Sequence, residues 1–149
     1  MAGSFQLTLT ATEGPMSGRT VQGQLALRLM VDSLRRVNRP GATDTVTVPV
    51  IGTTDLAIEE VGAARLGNLL SADSERPGVA IWVSHGADGG VSAVMRIGQE
   101  QIHTNLLRIE GAYTALYVRQ VSAAGIYGGW ASGDGRRQVA SGYFCATRL

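Results

Sequence analysis

Few residues in this chain carry catalytic chemistry. Ser84, His85 and Asp88 supply a hydroxyl, an imidazole and a carboxylate, the three groups of a hydrolytic triad. Neighbouring residues at a strand end and its turn cannot present the base to the nucleophile in the geometry that a triad needs. There is no Gly-x-Ser-x-Gly elbow. His103 is the only other histidine and Cys145 the only cysteine, and their wide separation gives no metal-ligand spacing. Glu59 and Glu60, in a strand, point opposite ways and read as a solvated edge. Gly125-x-x-Gly128-Gly129 opens a strand instead of a helix, so it is no phosphate cradle. The expectation is a non-enzyme with no catalytic residues, no metal and no cofactor. An enzyme with a site around His85 is the least supported alternative.

Charge and composition narrow the partners. Thirteen basic residues against twelve acidic ones leave a net charge of +1, too little to steer the chain to nucleic acid or to a membrane surface. All the basic residues are Arg, a pattern that coding bias explains without selection for bidentate contacts. Arg35, Arg36 and Arg39 share a polar loop over 32–44, read either as solvated or as a binding point for an anionic group or an acidic partner. Stacking aromatics of the kind that single-strand nucleic-acid platforms need are missing. No segment reaches the ~18 apolar residues of a membrane span. Met1-Ala2-Gly3-Ser4 lacks the charged and apolar regions of a signal peptide. The compartment stays open, export after removal of a signal included. The single Cys145 cannot form an intrachain disulfide and reads as a small buried hydrophobe.

The elements that must position any site read as strands. At 149 residues, 44% hydrophobic and with twenty glycines, the chain fits a single domain, 1–149, of many short strands and turns. Residues 4–12 alternate, with Phe5, Leu7, Leu9 and Ala11 on one face. A longer strand over 18–31 turns Val21, Leu25, Leu27, Leu29 and Val31 inward, and Gly23 among them predicts a bend or bulge. Thr45 to Ile51 follows, with Val46, Val48 and Val50 on one face and Pro49 placing it at an edge, at a bulge or in a short strand. Residues 53–61 are read as a further strand, since Gly62 and Gly67 disfavour a helix through Leu70. A hairpin over 79–84 and 91–98 turns at Asp88-Gly89-Gly90. Residues 99–111 fit a short helix or a strand equally, and 113–121 lead into the last hairpin.

That last hairpin turns at Asp134-Gly135. The tight turn predicts Trp130 facing Val139 and Ile126 facing Tyr143 on one side of the ribbon. On the other, Tyr127 lies over Gly142 and Phe144 over Gly125, rings covering glycines that have no side chain. Phe5, Leu27, Trp82, Ile126, Trp130 and Tyr143 are therefore the expected ligand-facing or core-facing residues. Tyr127 and Phe144, with Arg35, Arg36 and Arg39, are the expected partner-binding set. Eight or nine sequential antiparallel strands predict an all-β up-and-down barrel. A Greek-key sandwich is the alternative.

Gly3-Ser4-Phe5 at the head of the first strand resembles the Gly-x-Trp opening of lipocalin-like barrels, with Phe in place of Trp. Arg148 after the last strand is similar to the arginine that packs over that aromatic in the same family. Thr54-Asp55-Leu56 is similar to the family's Thr-Asp-Tyr turn, though it stands earlier in the chain. The resemblance implies a closed calycin-type barrel whose floor is sealed by Arg148 stacked on Phe5, worth about 0.5–2 kcal/mol. The functional expectation is a barrel holding a small apolar ligand in its interior or mouth. The alternative is an accessory subunit that docks on other chains, or on itself, through its outer face and arginine loop.

Overall fold

A computed structural model of the chain describes residues 1–29, 37–38, 45–63, 78–86, 88–97, 113–133 and 137–149. Among these residues there are nine strands, one short 3-10 turn and no α-helix. The strands are β1 (Gly3–Glu13), β2 (Thr20–Leu29), β3 (Val37–Asn38), β4 (Thr45–Thr54), β5 (Gly78–His85), β6 (Val91–Ile97), β7 (Tyr113–Val121), β8 (Gly125–Gly133) and β9 (Gln138–Arg148). Every strand is antiparallel to its neighbours. Consecutive strands pair in turn except β2 with β3, β9 pairs with β1, and β2 pairs with β4. That last pairing, Leu25 with Thr54 through Leu29 with Val50, closes eight strands into an up-and-down barrel. The two-residue β3 pairs with the first residues of β4, Thr45 and Val46. No helix among the described residues is long and apolar enough to cross a membrane.

Alternation along each strand builds the interior. Phe5, Leu7, Leu9 and Ala11 of β1 are buried, and so are Leu25 and Leu27, Val79 and Ile81, Met95 and Ile97, Leu116, Ile126 and Trp130, in one apolar cluster. Pro49 sits where the β4–β5 register shifts between Thr47 and Val50, one of the places where a missing N–H is tolerated. The shift also breaks the predicted alternation, because Val46 lies opposite Ser84 while Val50 lies opposite Ile81. Residues 53–61 are not a separate strand. β4 runs on to Thr54, and Ile58–Val61 forms the 3-10 turn. Gly23 marks no bulge; the β1–β2 register is unbroken. Its missing side chain instead admits Asp55 and Leu56, since a Cβ there would stand 2.7 Å from Asp55 Oδ1 and 2.8 Å from Leu56 Cα.

The closing hairpin has a different register from the one its turn dipeptide predicts. Trp130 lies opposite Gly142 instead of Val139, and Ile126 opposite Ala146 instead of Tyr143. An odd slip exchanges the faces. Phe144 is therefore inside and buried, and Tyr143 is outside and exposed, the reverse of the expected placements. The reason is steric. Trp130 needs glycine across the ladder: a Cβ at Gly142 would overlap the Thr10 carbonyl and meet Trp130 Nε1 at 2.8 Å. Phe144 likewise lies over Gly128, where a Cβ would meet its Cε1 at 2.8 Å. The rings do cover glycines, with other partners. Trp130 Nε1 donates to the Thr10 carbonyl at 3.0 Å, which satisfies its one polar atom inside the wall.

Candidate binding site

The two ends of the barrel are built differently. At one end lie the finish of β1, β4, β6 and β8 and the start of β2, β5, β7 and β9. Here the chain leaves Thr54 and folds back over the opening. Leu56, Ile58, Val61 and Ala63 are buried in the main cluster and form a stopper. Polar contacts fasten it to β2: the Gln24 N–H donates to Asp55 Oδ1, Asp55 N–H donates back to the Gln24 carbonyl at 3.3 Å, and Thr54 Oγ1 donates to the same carbonyl at 2.7 Å. Gly62, at φ 75°, ends the 3-10 turn in the left-handed region, against Pro15 and Met16.

The other end carries the start of β1, β4, β6 and β8 and the finish of β2, β5, β7 and β9. On its β1–β9 side the Arg148 guanidinium lies over the Phe5 ring at 5.5 Å and donates to the Ala2 carbonyl at 3.0 Å. The stacking expected from the Gly3-Ser4-Phe5 and Arg148 pattern is thus present. Gly3, at φ 139°, lets the backbone pass beneath the guanidinium. Around the rest of this rim the wall is different. Leu29, Val91 and Val121 lie opposite Val50, His85 and Ile126, so they occupy inward positions, yet they are 59%, 64% and 50% exposed. Beneath them Val83, Ala93 and Val118 are partly buried against the core. His85 also points inward here and is exposed.

Between these ends the barrel is filled. Leu7, Leu9, Leu25, Val79, Ile81, Met95 and Leu116 have no accessible surface. A ligand-sized void would leave its lining side chains with surface that a water molecule could touch, and these have none. The apolar arc at the open rim is accordingly the candidate site, and it lies at the mouth instead of deep within the barrel.

The expected site residues divide. Phe5, Leu27, Ile126 and Trp130 are buried together in the interior. Trp82 is buried but outside the barrel wall: β5 alternation sends Val79 and Ile81 inward and Ala80 and Trp82 outward, where Arg96 lies over the indole at 5.4 Å. Tyr127 is on the outer wall and partly exposed. Cys145 is also on the outer wall and only partly buried, 3.4 Å from Thr147 Oγ1. Arg35, Arg36, Arg39 and His103 lie outside the described residues. Asp88 is used by its turn, accepting the Gly90 N–H at 2.9 Å. Sequence reasoning missed the stopper and the rim, because both depend on which strand ends meet. Leu29 was visible as an inward residue, but its exposure was not. Compared with models of known protein families and with curated proteins, the chain matches none.

Proposed function

We propose that the protein is a non-catalytic, lipocalin-like β-barrel that holds a small apolar ligand at its open rim. The observation that carries this reading is the exposure of Leu29, Val91 and Val121 at positions where the wall otherwise buries apolar side chains. Covering about 200 Å² of such surface is worth about 5 kcal/mol before the entropic cost of association. Val83, Ala93 and Val118 extend the apolar surface below the rim. The Arg148–Phe5 stacking supports the calycin-type part of the reading, although here it seals one side of the open end while the opposite end carries the stopper. The alternative, an accessory subunit docking through Tyr127 and Phe144, has less support because Phe144 belongs to the core.

Thermal unfolding across a panel of fatty acids and fused-ring hydrocarbons tests the proposal. A ligand at one hundred times its Kd adds about 2.7 kcal/mol to native stability, and the combined Leu29→Asp and Val121→Asp variant should lose that gain. A panel that leaves the midpoint unmoved, or a gain that survives in the variant, defeats it.

A further inference from the structure

The open rim holds one side chain that bears on the polar part of a ligand. Leu29, His85, Val91, Val121 and Arg148 all occupy inward positions there. Arg148 is committed to the wall, stacked on Phe5 and donating to the Ala2 carbonyl. His85 is not committed: its imidazole is exposed and makes no hydrogen bond to another described residue. It stands directly across the β5–β6 ladder from Val91, about 5 Å away between Cβ atoms. Beyond Val91 the wall is unzipped. β6 and β7 pair from Ala93 with Val118 to Ile97 with Thr114, and they have no rung at Val91 or Val121. The imidazole thus borders an open seam whose two lips, Val91 and Val121, are exposed apolar residues of the rim arc.

Charge separates between the two ends in a way that the small net charge hides. Among the described residues the exposed Arg28, Arg119 and Arg148 lie at the open end with His85, and Asp88 is the one acidic side chain there. Glu13, Asp55, Glu59 and Glu60 gather at the stopper end, with Arg19, Arg96 and Arg137. Asp88 is folded onto its own turn, where Oδ1 accepts the Gly90 N–H at 2.9 Å and lies over Gly86. The field at the mouth therefore favours a negative head. A carboxylate can accept the imidazole N–H whether the ring is neutral or protonated. That bond is charge-assisted and stronger than one to a neutral oxygen. A ligand with no acceptor would strip water from the imidazole and return no bond. We propose that the ligand is an amphipathic monocarboxylic acid, its chain lying along Val91 and Val121 in the β6–β7 seam and its carboxylate accepting from His85. This assignment rests on the rim reading above and adds to it the chemistry of the head.

Isothermal titration of the full chain at neutral pH with decanoate, decanol and methyl decanoate tests this. Hydrophobic transfer alone ranks both neutral probes above decanoate, whose ionised head is the most strongly hydrated. The opposite order is expected, with decanoate bound about tenfold more tightly than either neutral probe. His85→Leu should remove that margin by weakening decanoate while leaving decanol unchanged, and His85→Arg should restore it. An unchanged unfolding midpoint in both variants separates lost binding from lost folding, since the side chain is exposed. Decanol bound as tightly as decanoate, or decanoate undiminished in His85→Leu, overturns the assignment of the head and leaves the rim reading standing. Binding by none of the three probes, or binding that survives in the combined Leu29→Asp and Val121→Asp variant, defeats the rim reading itself and this assignment with it.

Discussion

The two ends of this barrel solve the same problem in opposite ways. Eight closed strands leave two openings, each ringed by inward-pointing apolar side chains. At one, Leu56, Ile58 and Val61 fold in and remove the opening from solvent, held by Asp55 and Thr54 against Gln24. At the other, Arg148 on Phe5 covers a single sector, and Leu29, Val91 and Val121 stay in water. The proposed reading assigns ligand binding to the exposed end. The stopper shows that closing such an opening takes only a short segment and one glycine.

Substitutions at the two ends should accordingly behave differently. The largest effect is expected at the stopper. Leu56→Ala removes a fully buried side chain and should lower stability by about 2–5 kcal/mol in urea unfolding. Gly23→Ala forces a methyl into Asp55 and Leu56, and overpacking of this kind costs about 1–3 kcal/mol. If both variants unfold at the wild-type midpoint, the stopper is not docked as described. Arg148→Ala should cost less, about 0.5–1 kcal/mol, because the stacked guanidinium is exposed. The smallest effect belongs to the rim: Val91→Ala should change stability by no more than about 0.5 kcal/mol. A drop there as large as that of Leu56→Ala would erase the difference between the ends.

The same contrast marks what could be read from sequence. The wall was legible: alternation in Phe5, Leu7, Leu9 and Ala11 places those residues inside, and Pro49 does coincide with a shift of register. The Arg148 and Phe5 pair was legible through a motif at each terminus. The closing register was not. Asp134-Gly135 favours a tight turn, a local preference, whereas the ladder is set by Trp130 and Phe144 finding Gly142 and Gly128 across it. Trp82 was misplaced because Val79, Ala80, Ile81 and Trp82 are all apolar and all buried, so no alternation showed which face was inside. The stopper has no periodicity to read, since a 3-10 turn of four residues is too short to display one. Its docking on β2 joins positions about thirty residues apart through a glycine that carries no pattern of its own.

Methyl NMR with a ligand identified by thermal shift tests the account most directly. Perturbations are expected at Leu29, Val91, Val121 and the tier below them, Val83, Ala93 and Val118, with Leu56, Ile58 and Val61 unmoved. Shifts concentrated on Leu56, Ile58 and Val61, or spread through Leu7, Ile81 and Leu116 at the filled waist, would contradict it.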